Sequence, residues 1–352
     1  MPTKRHTRLA LAVIASAIPL IMTGCSGNTQ PTASSDSTEG LNTPAAGSCD
    51  YAPNYPKGPI EFIVPWAAGG GTDAVARQVA NSLSQQMGVQ VNVTNRTGGA
   101  GVVGHTAIET AKADGQTIGL ATAELAMMHW QGLTDMTYQD FTPVALVNAD
   151  HAAITVKVGA QWKDAKALLD YIKAHPGELK ASGTAQGGIG HLGMIGTLMA
   201  YGIPADAVTW VPSDGAAPAL QELVGGGVDF IVTSSPAEVK TMRDAGQVQS
   251  LAVLSDERDT NFPDIPTIME AAGISYVFGT WRGVVGPKGV DPNIVAELQC
   301  YLATTVTETE FKSLMATSGY GIDYLDSADF ASFLASEDAK MSDVMAAAGL
   351  KK

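Results

Sequence analysis

Apolar runs of strand length alternate with helical patterns along most of this chain, and the strand-to-helix joints are rich in glycine and hydroxyl residues. No other feature limits the fold as much. Repeated strand–helix–strand units close most readily as parallel sheets covered by helices, which places the chain in the α/β class. Residues 60–64 read as a strand ended by Pro65. Residues 72–87 read as a helix, with Val75, Val79, Leu83 and Met87 at i+4 steps. Further strands are predicted at 89–93, 117–121, 179–181, 208–211, 228–232, 249–253 and 283–285. Further helices are predicted at 162–175, stopped by Pro176-Gly177, and at 192–201, 216–224, 236–245, 292–305 and 328–348. No internal repeat is visible.

The first residues have a different character. Lys4, Arg5 and Arg8 precede an apolar run at 9–22, too short to span a bilayer comfortably and of the length of a signal-peptide core. The run ends in Met22-Thr23-Gly24-Cys25, which resembles the lipobox of bacterial lipoproteins, whose cysteine is diacylated and becomes the new N-terminus. The other reading is an ordinary secretory leader with an incidental cysteine. Residues 26–47 carry Ser, Thr, Pro, Ala, Asn and Gly with almost no large apolar side chain, so they cannot bury a core. As a coil they would reach roughly 25 Å, enough to hold a domain off a membrane. The expected organisation is leader 1–24, tether 25–48, one lobe from 49–152 plus 281–352, and a second from 153–280.

Charge narrows the partners. The chain carries 21 Lys+Arg against 35 Asp+Glu, net −14. Loss of residues 1–24 removes three basic groups and no acidic ones, leaving −17. Nucleic acid and anionic lipid surfaces are poor partners for such a body. An anionic ligand would have to be held by local dipoles against the overall field. With Cys25 lipidated, Cys49 and Cys300 remain, and an even remainder in an oxidising compartment usually pairs; two free buried thiols are the alternative. The histidines are scattered and no Cys-x-x-Cys occurs, so no zinc pattern is present and no cofactor is expected.

In α/β sheets ligands sit beyond the carboxyl ends of strands. Four such joints stand out. Pro65-Trp66-Ala67-Ala68-Gly69-Gly70-Gly71-Thr72-Asp73 can turn several backbone N–H groups to one point at a helix N-terminus, with Thr72 or Asp73 as the cap. It has neither the Lys of a P-loop nor Gly-x-Gly-x-x-Gly, which argues against nucleotides. Ser182-Gly183-Thr184-Ala185-Gln186-Gly187-Gly188-Ile189-Gly190-His191 offers hydroxyls and a second set of N–H groups. Val211-Pro212-Ser213-Asp214-Gly215 and Thr233-Ser234-Ser235-Pro236 are the others. Residues 95–104 read as a mobile surface loop.

Taken in order, these segments resemble the substrate-binding proteins of tripartite tricarboxylate transporters, the Bug family, in a lipoprotein form. The resemblance is carried by Val64-Pro65-Trp66, Gly69-Gly70-Gly71-Thr72-Asp73, Val93-Thr94-Asn95-Arg96, Gly98-Gly99-Ala100-Gly101, Ala113-Asp114-Gly115, Asp140-Phe141-Thr142-Pro143-Val144, Gly215-Ala216-Ala217-Pro218, Gly226-Gly227-Val228-Asp229, Pro263-Asp264-Ile265-Pro266-Thr267 and Trp281-Arg282-Gly283, and spans residue 55 to the C-terminus. It implies a type II periplasmic-binding-protein fold: two α/β lobes, a hinge and a ligand cleft.

It also implies a ligand set: one carboxylate at Trp66, Gly70, Gly71, Thr72, Asp73, Ser182, Thr184, Gly187 and His191, and the far end of the ligand at Thr122, Asp214, Thr233, Ser234 and Trp281. Two departures matter. Gly187-Gly188-Ile189-Gly190 lacks the serines usual in the family, and Glu124 stands where many members are neutral. Arg282 either neutralises a ligand carboxylate or pairs with a surface acid. The implied function is capture of a small organic carboxylate outside the cytoplasm by a monomer, for delivery to membrane permease subunits, with no enzymatic step. A sensing lipoprotein is the alternative. A secreted hydrolase fits less well, since no Gly-x-Ser-x-Gly occurs.

Overall fold

The computed structural model describes residues 47–234 and 236–352. The leader, the Cys25 anchor, nearly all of the tether and Ser235 lie outside the described residues. In chain order the strands are β1 (Ile60–Val64), β2 (Val91–Asn95), β3 (Thr117–Thr122), β4 (Phe141–His151), β5 (Ala153–Lys157), β6 (Lys180–Ser182), β7 (Thr209–Trp210), β8 (Phe230–Thr233), β9 (Val248–Val253) and β10 (Gly279–Pro287). The helices are α1 (Gly71–Met87), α2 (Val102–Glu109), α3 (Ala165–Ala174), α4 (Ile189–Ala200), α5 (Ala216–Gly225), α6 (Pro236–Asp244), α7 (Ile268–Ala272), α8 (Pro292–Thr305), α9 (Thr309–Ser318) and α10 (Ser327–Ala347).

These elements build two sheets, ordered β2-β1-β3-β10-β4 and β7-β6-β8-β5-β9. The α/β class expected from the sequence holds, but the all-parallel reading needs correction. In each sheet four strands run in one direction and one enters antiparallel: β10 between β3 and β4, and β5 between β8 and β9. Neither β10 nor β5 is reached through a crossover helix from the strands it pairs with, so a rule built on strand–helix alternation could not place them. The segment expected to be a mobile loop is also ordered: residues 99–101 form a turn of 3-10 helix and α2 follows directly. Gly104 lies so close to Pro65 that a Cβ there would stand 2.4 Å from the Pro65 Cα.

Local sequence explains the helices. Val75, Val79 and Leu83 turn α1 toward β1 and β3, where they join Phe62, Val64, Leu298 and Phe311 in a fully enclosed core. Gly88, at φ 67°, ends α1 by returning its N–H to the Ser84 carbonyl. A larger core runs on from Ile154, Leu168 and Leu198 beneath the second sheet to Trp281, Phe330 and Met341. Cys49 and Cys300 are joined in a disulfide that ties the start of the described chain to α8.

Three backbone segments pass between the sheets and bond to one another. Ala152 N donates to the Phe278 carbonyl at 2.8 Å, Leu254 N to the Ala152 carbonyl at 2.7 Å, and Phe278 N to the Leu254 carbonyl at 2.9 Å.

Candidate functional site

The carboxyl ends of β1, β6 and β7 each run into a helix that begins at a glycine. The N-caps of α1, α4 and α5 are Gly70, Gly188 and Gly215, and none receives a side-chain cap. By contrast, α3, α7, α8 and α10 are capped by Asp164, Thr267, Asp291 and Asp326. Two consequences follow from elementary chemistry. A glycine cap has no side-chain oxygen to give the first-turn N–H groups, so these groups stay available to an outside acceptor, except Gly190 N in α4, which Thr184 Oγ1 accepts at 3.2 Å. The helix dipole adds positive potential at the same point.

The first loop is held open by its own helix. Asp73, 3% exposed, accepts Gly69 N at 2.8 Å, Arg77 Nε at 2.8 Å and Asn95 Nδ2 at 2.9 Å. Asn95 also donates to the Trp66 carbonyl at 2.9 Å. Burial alone would raise the Asp73 carboxyl, but the hydrogen bonds from Arg77, Gly69 and Asn95 outweigh it and hold it at about 2. Asp73 is therefore the brace of the loop, and its oxygens are committed within the protein. Ala67 to Gly70 are exposed.

The end of β3 closes one side. Trp66 Nε1 donates to Thr122 Oγ1 at 3.2 Å, and Thr122 donates to Glu124 Oε2 at 2.6 Å. Burial raises the Glu124 carboxyl above its ordinary value, with the Thr122 hydrogen bond and the nearby Arg282 acting against this. Behind Thr122, His105 is fully buried. Its Nε2 accepts Thr122 N at 3.3 Å, so Nδ1 carries the proton and donates to the Gly101 carbonyl at 2.8 Å. Burial holds this imidazole neutral, with its pKa lowered to about 4.

The second loop is shaped by the same means. Gly183 passes so near β8 that a Cβ would stand 2.0 Å from the Val232 carbonyl oxygen. Ser182 donates to the Val211 carbonyl at 2.7 Å, and Thr184 Oγ1 accepts Gly190 N at 3.2 Å. His191 Nδ1 accepts Gly187 N at 3.0 Å, leaving the proton on Nε2, and the ring lies against Trp210 with centroids 4.9 Å apart. Burial lowers this histidine to about 4. The Gly187 carbonyl accepts Gln131 Nε2 at 3.4 Å, which joins the second loop to the segment that follows β3.

The residues named from the sequence therefore fall into groups. Trp66, Gly70, Gly71, Thr72, Asp73 and Thr122 gather at the ends of β1 and β3. Ser182, Thr184, Gly187 and His191 gather at the end of β6, and Ser213 N donates to the Thr184 carbonyl at 3.0 Å, which brings the turn holding exposed Asp214 beside them. Thr233 and Ser234 are buried at the end of β8, and Thr233 lines a small cavity with His151, Arg243 and Asp259. Trp281 stands apart from these groups, on β10. It is 2% exposed and packs edge-on against Phe330 and Phe333 in the core. Asn95, His105 and Tyr320, whose hydroxyl stands 2.8 Å from where a Cβ would sit on Gly71, belong to the site without forming part of the expected ligand set. For Asn95 the signal was there, in Asn95-Arg96 at a strand end; Tyr320 had only its flanking glycines to mark it.

Such a site can seat anions on backbone N–H groups. Both histidines within it are neutral and have Nδ1 engaged with backbone. Among the described residues no cluster of three or more His, Cys, Asp or Glu is arranged to hold a metal ion.

Comparison with known proteins gives a consistent result. Residues 75–350 match the family described as tripartite tricarboxylate transporter family receptor. Protein BugT of Bordetella pertussis is 31% identical over 288 residues, covering 80% of this chain and 85% of BugT. A TctC solute-binding protein from Polaromonas, solved without ligand, superposes with a TM-score of 0.76 at 32% identity, over 83% of this chain and 99% of that one. An R. palustris protein solved with adipate superposes with a TM-score of 0.68 at 26% identity, over 84% of this chain and 98% of its own.

Proposed function

The chain belongs to the tripartite tricarboxylate transporter receptor family, a family of substrate-binding receptors and not of enzymes, and from that premise we propose that it captures a small dicarboxylate outside the cytoplasm and hands it to membrane permease subunits. In this reading a lipid on Cys25 and the tether behind it keep the receptor beside the permease. The observation that carries the ligand class is the set of three helices led by glycine N-caps, at the carboxyl ends of β1 in one sheet and of β6 and β7 in the other. One carboxylate sits on the N–H groups of α1 and α4, and the rest of the ligand extends toward Thr122, Asp214 and the end of β8. The adipate in the R. palustris relative supports the class.

Capture then needs closure. Lobes of residues 49–152 with 281–352, and of 153–280, swing about the bonded triplet Ala152, Leu254 and Phe278, and the closed form is what the permease recognises. The neutral, backbone-based seat fits this use, because it binds an anion without an obligatory cation and releases it when the lobes part.

The test is a thermal-shift screen of the mature chain against dicarboxylates of graded length, hydroxy acids and amino acids. A ligand at 100 times its Kd should add about 2.7 kcal/mol to stability. A panel that leaves the melting temperature unmoved sinks the proposal.

A further inference from the structure

Arg282, on β10, is 8% exposed and lies beside the first loop. Its Nε donates to Thr72 Oγ1 at 3.1 Å, and its Nη1 to Asp150 Oδ2 at 2.6 Å and to the Asn148 side chain. Nη2 makes no hydrogen bond among the described residues. It stands 3.3 Å from the point where a Cβ would sit on Gly71, and the Tyr320 hydroxyl stands 2.8 Å from that same point. The Tyr320 ring lies under the guanidinium, 5.6 Å from ring centroid to Cζ. The tyrosine hydroxyl likewise has no hydrogen-bond partner among the described residues, and burial, more than any charge, raises its pKa.

Two side-chain donors therefore converge on the first residue of α1, where the helix is uncapped. Only glycine at position 71 leaves room for both. The three other interactions of Arg282 fix its orientation and balance its charge through Asp150, so what Nη2 adds is a directed, charge-assisted donor.

We infer that Arg282 and Tyr320 form the donor wall of the first anion seat, so that a ligand carboxylate held on the N–H groups of α1 also accepts from Arg282 Nη2 and the Tyr320 hydroxyl. This rests on the carboxylate reading above and deepens it. The seat selects an ionised carboxylate over an uncharged amide of the same shape, because only the carboxylate offers acceptors to both donors and to the helix at once.

The experiment is calorimetric titration of the mature chain with adipate and with succinate, for the native chain, Tyr320→Phe and Arg282→Lys. Tyr320→Phe keeps the ring and removes only the donor. Its Kd should rise about tenfold or more while its ligand-free melting temperature stays that of the native chain. Arg282→Lys loses the fork and should weaken binding at least as much. Native affinity in Tyr320→Phe overturns the inference and leaves the receptor reading standing. If Tyr320→Phe fails to fold, Arg282→Lys decides, with native affinity again counting against the wall. If the native chain takes up neither, the acid that raises its melting temperature in the screen above replaces them, and a native chain that no acid of that panel shifts removes the carboxylate reading and this inference together.

Discussion

Gly69 donates its backbone N–H to the Asp73 carboxylate at 2.8 Å, on the oxygen that also accepts Arg77 Nε at 2.8 Å. The helix that offers its N–H groups to a ligand thus holds, with its own first turn, the loop that leads into it. Asp73 supplies no cap within the helix and faces back, so bracing the loop and leaving the helix start open are one arrangement.

Asp73→Asn tests this brace. A buried, hydrogen-bonded charge lost in this way should cost on the order of 1–3 kcal/mol in urea unfolding at pH 7, with ligand affinity falling as the loop loosens. The acid limb gives the sign. The folded pKa, about 2, lies below the usual aspartate value, so the contribution is complete above pH 4 and lost as pH falls through about 2. The native chain should lose stability between pH 4 and 2, and Asp73→Asn should lose less of it.

His105 acts at higher pH. Its folded pKa, about 4, lies below the 6.5 of a free imidazole, so the unfolded chain binds the proton more readily. Stability is full above pH 6.5 and declines as pH falls toward 4, by on the order of 3 kcal/mol from this group. His191 contributes in the same direction over the same window. Denaturant midpoints measured from pH 7.5 to 4 should fall, and His105→Gln should flatten the fall.

The sequence was most informative where an element is local. The helix at 292–305 appears as α8, and β1 has its expected ends. In 141–157 the sequence pattern predicts no strand. That passage supplies β4 and β5, one after the other with only Ala152 between, and it changes sheets on the way. From Val144 to Asp150 β4 is buried, so no alternation marks it, and the strands that pair with this passage, β10 with β4 and β9 with β5, lie far along the chain. At the site the glycine loops were legible because glycine marks a backbone requirement. Side-chain roles were not. Asp73 and Trp281 carry chemistry that suits a ligand as well as a fold, and only the partners Gly69, Asn95, Phe330 and Phe333 separate the two uses.

The Cys49–Cys300 bond closes a loop of 251 residues. Replacing both cysteines with alanine should lower stability by about 2–5 kcal/mol, the usual cost of removing a native disulfide from a secreted domain. Melting with and without reductant checks it, and the double variant should no longer respond to reductant.

Glu124 offers a test of charge near the seat. Burial raises its carboxyl pKa, so ionisation near neutral pH costs folding energy, and the group favours the folded state more as pH drops. Glu124→Gln keeps an acceptor for Thr122 while removing the charge. Ligand-free stability at pH 7 should rise, and affinity for a dicarboxylate should increase severalfold in calorimetry.

Gly70 separates binding from folding most directly. It sits at φ −79°, and a Cβ there would meet only the Ala67 carbonyl oxygen, at 3.5 Å, an ordinary contact. A side chain at this position is therefore tolerated by the fold but stands over the open N–H groups of α1. Calorimetric titration of adipate into the native chain and into Gly70→Leu, each shown to melt at the same temperature, is the decisive measurement. The account predicts saturable binding to the native chain and a loss of at least about tenfold in Gly70→Leu; equal affinity in the two would contradict it.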